Sequence, residues 1–194
     1  MKKTVIYIIL ALVALWGAFY TENLTERKHR EQLAQLKPDE LVGVLMRDSL
    51  STLTHRAITL KQLKDGYADE AFAKQYGRVL GIGSPTFYVI KDECQHATVG
   101  DDEIHATAEG LTITIPLKYI FGNAAREASG WFDIDNFQNT TDFNAVSAAM
   151  NEYIARQLKT FKPGDDGKIE FLAGAAIQNG ADMQQITLIP YQLK

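Results

Sequence analysis

The chain has 194 residues, 46% hydrophobic and 23% charged, with a formal net charge of −4. This length suits one domain plus an appendage, and the ordinary composition excludes wholesale disorder. The acidic balance disfavours nucleic acid, which calls for basic charge gathered on one face. The single cysteine, Cys94, excludes an intramolecular disulfide and any multi-cysteine zinc site.

Lys2 and Lys3 precede an uncharged apolar run from Thr4 to Tyr20. At 1.5 Å per helical residue the run spans about 25 Å, close to a hydrocarbon core. Tyr7, Trp16 and Tyr20 supply rings near its ends, where amphipathic aromatics favour the interface. Cleavage as a signal peptide needs small residues at alternate positions after the run, and Leu15 and Trp16 occupy them instead. An uncleaved signal anchor over residues 1–20 is therefore favoured over a cleaved leader. Arg27, Lys28 and Arg30 work against the orientation that Lys2 and Lys3 set.

Residues 21–37 are charged and helix-favouring and read as a stalk. Over 38–77 a helical preface is expected. Pro38 stands at N1 with Asp39 and Glu40 in the first turn, and Leu41, Val44, Leu45 and Leu50 form an apolar side. Thr59 and Gln62 have capping-box spacing for a second helix carrying Leu60, Leu63 and Tyr67, with a last turn to Tyr76 and Gly77 as its stop. Over 78–194 the period changes. After "GIGSP", a turn and not a phosphate loop because a strand follows it, a strand is expected over Thr86–Lys91. "QHATV" and "EIHATA" are short strand candidates. "GLTITIPL" alternates, with Leu111, Ile113, Ile115 and Leu117 on one face, and ends or lies at an edge at Pro116. Phe143, Val146, Met150, Tyr153, Ile154, Leu158 and Phe161 share a stripe that predicts a helix over about 143–158, N-capped by Asp142. "IEFLAGAAI" and "QQITLIPYQL" supply the last strands. The fold class is α+β, and the order of elements is that of an OB-like five-stranded β-barrel with its helix between strands 3 and 4. An α+β sandwich uses the same elements.

Three stretches, "ITIPLKYIFGNAAREA", "WFDIDNFQN" and "FNAVSAAMNEYI", resemble a family of bacterial periplasmic proteins, mostly predicted lipoproteins, often encoded beside sugar ABC transporters. "AITLKQL" and "YGRVLGIGSPTFYVIK" add to the resemblance, which covers about residues 38–194. It implies an OB-like fold, a periplasmic location and ABC transporter components as partners. Family lipoproteins carry a lipidated cysteine where this chain has Ala18 in "LWGA", so the apolar segment 4–20 is expected to hold the chain to the inner membrane, with the C-terminal domain periplasmic.

Asp133 and Asp135 in "WFDIDNFQN" have the spacing of a carboxylate pair on an extended segment. The same stretch serves as a loop whose Phe132, Ile134 and Phe137 seal one end of a barrel, and that reading is the stronger. Arg126 has the fork geometry to clamp a ligand carboxylate or phosphate, against an ion pair with Asp133, Asp135 or Glu127. Asn151, at the margin of the helix stripe, is expected to satisfy backbone groups. Cys94, His96 and His105 follow no zinc spacing, so no metal or cofactor is assigned. The expectation is a non-enzymatic accessory or binding protein, with Arg126, Asp133 and Asn136 as the candidate ligand-binding residues. An OB-type nucleic-acid or oligosaccharide-binding domain is the alternative.

Overall fold

The computed structural model describes residues 37–137, 139–162, 167–178 and 180–194. The segment expected to anchor the chain, and all of the expected stalk before Lys37, lie outside them. Among the described residues no helix is long and apolar enough to cross a membrane.

Pro38 opens α1 (Pro38–Asp48), with Asp39 and Glu40 in its first turn and Leu41, Val42 and Met46 buried. Ser49 ends it and also precedes α2 (Leu50–Arg56), so Leu50 begins a new helix and does not extend the apolar side of the first. Thr59 caps α3 (Leu60–Gly66) through a complete capping box: Gln62 N–H donates to Thr59 Oγ1 at 3.1 Å and Thr59 N–H to Gln62 Oε1 at 2.8 Å. The expected last turn is a helix of its own, α4 (Glu70–Tyr76), capped by Asp69 and stopped at Gly77.

Among the described residues eight strand segments follow: β1 (Gly77–Val79), β2 (Thr86–Cys94), β3 (Thr98–Val99), β4 (Glu103–Ala108), β5 (Leu111–Pro116), β6 (Ile169–Ile177), β7 (Gln185–Thr187) and β8 (Ile189–Leu193). They form two four-stranded sheets, ordered β1-β2-β6-β8 and β3-β4-β5-β7. Two bends carry the chain from one sheet to the other. His96, at φ 56°, lies between β2 and β3. Leu188 lies between β7 and β8, and its N–H donates to the Thr114 carbonyl at 2.9 Å. With each bent pair taken as one strand, the pairings run β2 to β6, β6 to β8, β7 to β5, β5 to β4 and β4 to β3. Only the β5–β7 pair is parallel among these. This is the circuit of a five-stranded OB-type barrel, with β1 added along β2.

The barrel interior holds Tyr88, Ile90, Ile113, Ile115, Phe171 and Leu188, with Leu60 and Leu63 of α3 packed against them. The other face of β2 and β6 is buried as well, through Phe87, Val89 and Leu172. It is covered by α5 (Ala124–Ser129), while α1 packs on α6 (Thr140–Leu158). Burial on both faces explains why "IEFLAGAAI" reads as one apolar run without alternation. Gly174 in that run admits α5: a Cβ there would meet Tyr191 Oη at 2.8 Å and the Ala124 carbonyl at 3.0 Å.

Helix α6 begins a turn earlier than its apolar stripe suggests. Asn139 is the N-cap, its side chain accepting from Asp142 N–H at 2.9 Å, and Asp142 sits inside the first turn. There its carboxylate faces the positive end of the helix dipole and accepts from Asn139 Nδ2 at 2.9 Å. An asparagine three residues ahead of an acidic residue satisfies the same orphan amides that Asp142 alone was expected to serve.

Candidate functional site

Helix α5 carries a buried ion pair between sequence neighbours. Arg126 donates from Nε and Nη2 to Glu127 Oε1 at 2.9 and 2.5 Å. Its Nη1 donates to the Phe143 carbonyl at 3.1 Å, and its guanidinium lies 3.7 Å from the centroid of the Phe143 ring. Arg78 of β1 stands 3.7 Å from Glu127 Oε2 and donates to the Phe132 carbonyl at 3.1 Å. Arg56, at the end of α2, donates to the carbonyls of Ala128 and Ser129, which close α5. Three guanidiniums and one carboxylate thus fasten α5 to its surroundings, and each arginine is committed to protein groups.

Asp133 and Asn136 are elsewhere. They flank and end a 3-10 turn, Ile134–Asn136, and both are exposed, with the Asn136 N–H bonded to the Asp133 carbonyl at 3.0 Å. The structure keeps Arg126 inside and places the other two on the surface. Of the three carboxylates weighed as partners for Arg126, Glu127 is the one it holds. The rings of the same stretch pack outside the barrel and not in its end: Phe137 lies 6.3 Å from Phe132 and 5.4 Å from Phe143 of α6, and Ile134 is exposed. They fill the helical layer made by α5, which covers the outer face of β2 and β6, and α6, which packs on α5.

Cys94 is buried in the barrel, and burial, followed by the charges of Asp92 and Glu93, pushes its thiol above the usual range. His96 and His105 are exposed, the latter 3.0 Å from Glu103 Oε1. The three do not converge, and no group of three His, Cys, Asp or Glu suited to a metal occurs among the described residues.

A groove of about 640 Å³ lies between the segment after β5 and the flank of α6. The segment is fixed at several points. Leu117 N–H donates to the Asp102 carbonyl at 2.7 Å, and Lys118 pairs with the Asp102 carboxylate at 3.0 Å. Ile120 is buried, and Asn151 Nδ2 of α6 holds the Gly122 carbonyl at 2.9 Å. Gly122 has φ +84°, which a side chain would strain. With Ile120 turned inward, its neighbours turn outward: Tyr119 is 65% and Phe121 77% exposed. Phe121, Asn144, Ser147, Asn151, Arg156 and Lys159 line the groove. Ser147 Oγ is buried without a hydrogen-bond partner. A helical serine ordinarily turns its hydroxyl back to the carbonyl four residues earlier, here that of Phe143, which Arg126 already occupies.

The sequence reading missed this groove. Its signal was the outward–inward–outward order of Tyr119, Ile120 and Phe121 directly after a strand closed by Pro116. Two smaller concavities, about 510 and 330 Å³, are lined around Asp92, Glu170 and Lys194 and around Met46, Tyr153 and Leu193. The outward positions of β4 and β5 include Glu103, His105, Thr107 and Thr112.

The fold is that of a solved OB-fold protein from Thermotoga maritima. The two share 20% sequence identity with a TM-score of 0.65, over 82% of this chain and 98% of that one. The chain belongs to the DUF2291 family, described as predicted periplasmic lipoproteins, whose model matches residues 9–194. That description suggests a membrane-anchored, periplasmic location. None of the curated proteins matches the sequence significantly.

Proposed function

We propose that this chain is a non-enzymatic periplasmic binding protein, tethered to the inner membrane, that takes a polar ring-bearing ligand of the saccharide class in the groove between residues 118–122 and α6. The observation that carries the reading is the exposed ring of Phe121 lining the groove, with Tyr119 exposed two residues before it. Flat apolar faces of sugar rings stack on such side chains, while Asn144, Asn151 and Arg156 supply donors for hydroxyl groups. In this reading the ligand is held by the groove, whose lining does not include Arg126, Asp133 or Asn136.

The tether in this reading is the apolar segment 4–20, because the sequence has one cysteine and it is buried in the barrel. The resemblance to proteins encoded beside sugar ABC transporters supports transporter subunits as the partners to which a captured saccharide passes. Isothermal titration with a panel of neutral and acidic oligosaccharides tests the ligand class. Phe121→Ser should weaken binding about tenfold, or 1.4 kcal/mol, at unchanged melting temperature. Equal affinity in the variant would overturn the site.

A further inference from the structure

The hairpin between β1 and β2 ends in an aliphatic tip. Val79, Leu80 and Ile82 are 53, 48 and 110% exposed, and the remaining tip residues, Gly81, Gly83 and Ser84, are small and uncharged. The tip has a defined shape. Ser84 N–H donates to the Gly81 carbonyl and Gly81 N–H to Ser84 Oγ, both at 3.1 Å. Gly83 takes φ +80°, and Gln178 Nε2 reaches its carbonyl at 3.3 Å. No charged residue occurs between Arg78 and Lys91. Arg78 turns its guanidinium to the Phe132 carbonyl and Glu127, away from the tip.

We propose that this tip is a membrane wedge, which places Val79, Leu80 and Ile82 among the acyl chains just below the headgroups of the bilayer the protein is anchored to. The proposal rests on the membrane-anchored location and is independent of the groove. Three features select lipid over a protein partner. The tip is narrow, whereas a stable protein interface needs about 800 Å² from each side, with aromatic anchors at its centre. Its exposed side chains are aliphatic and continuous, the composition that enters an acyl region without leaving a charge unsolvated. The family's location keeps a bilayer within reach, and tethering turns weak insertion into an intramolecular event. Asp133 and Asp135, exposed just beyond the carbonyl that Arg78 holds, oppose anionic lipid. Insertion is therefore apolar in origin and draws nothing from attraction to anionic lipid, so salt does not weaken it.

The test uses the full chain with phosphatidylethanolamine–phosphatidylglycerol vesicles. Ile82→Cys, and Thr107→Cys on the opposite sheet as a control, are labelled with an environment-sensitive fluorophore, Cys94 being buried. At a depth of about 5–10 Å, label 82 should be quenched about twofold more than label 107 by spin-labelled lipid, and no less in high salt than in low. Equal quenching at the two positions overturns the wedge. So does a spectral shift at 82 that grows with protein density without lipid quenching, which would mean a second copy covers the tip. Flotation of the same samples separates the two claims. A chain that does not float removes the membrane location itself, and one that floats with label 82 unquenched removes only the wedge.

Discussion

Arg126 and Glu127 are adjacent in sequence, almost wholly buried, and bonded to each other twice through Glu127 Oε1. Glu127 is also the carboxylate facing Arg78. Removing one partner of a buried pair leaves an uncompensated charge, which costs about 3–5 kcal/mol. Glu127→Gln should lose that much stability in urea denaturation at unchanged m-value. A loss below about 1 kcal/mol would show that the charge is not confined.

Gly174 sits where α5 rests on β6. Gly174→Ala pushes a methyl group against Tyr191 Oη, the Ala124 carbonyl and Ala128 Cβ, two of them backbone or helix atoms that cannot swing aside. Overpacking of this kind costs about 1–3 kcal/mol. Paired with Tyr191→Phe, which removes the 2.6 Å bond to the Ala125 carbonyl, the alanine should cost less than it does alone, as a double-mutant cycle in urea will report.

Burial holds the phenols of Tyr191 and Tyr88 and the thiol of Cys94 above their usual ranges. Unfolded, these groups titrate near 10 and 8.5. Above those values the unfolded chain releases protons that the folded chain retains, so the folded state binds more protons and stability falls as pH rises. Below about pH 8 their contribution is complete. The decline approaches about 1.4 kcal/mol per pH unit for each group fully held. Denaturation midpoints between about pH 8 and 11 should show it, with a shallower slope above pH 10 in Tyr191→Phe.

Much of the barrel was legible from local pattern. The capping box at Thr59, the alternation from Leu111 to Ile115 and the stop at Pro116 each depend on residues close in sequence. The two sheet-switching bends were not legible, because His96 and Leu188 have no composition that marks them, and it takes the pairing of distant strands to define them. The same limit applies to the candidate site. Asp133 and Asn136 drew attention as polar residues among aromatics, yet that pattern is produced when Phe132 and Phe137 turn inward under α6 and the polar side chains turn out. The groove depends on a contact across the fold, Asn151 to Gly122, between residues that no local period relates. Arg126 was visible as a chemical resource, and its commitment to Glu127 and Phe143 appears only once α5 and α6 are packed together.

The most direct test of the groove as the ligand site is a map of backbone amide chemical shifts while the tightest-binding oligosaccharide of the panel is titrated in. Saturable shifts should concentrate at Tyr119, Phe121, Ser147 and Asn151 and be lost in Phe121→Ser. Shifts confined to the β4–β5 face, or none with any member of the panel, would contradict the account.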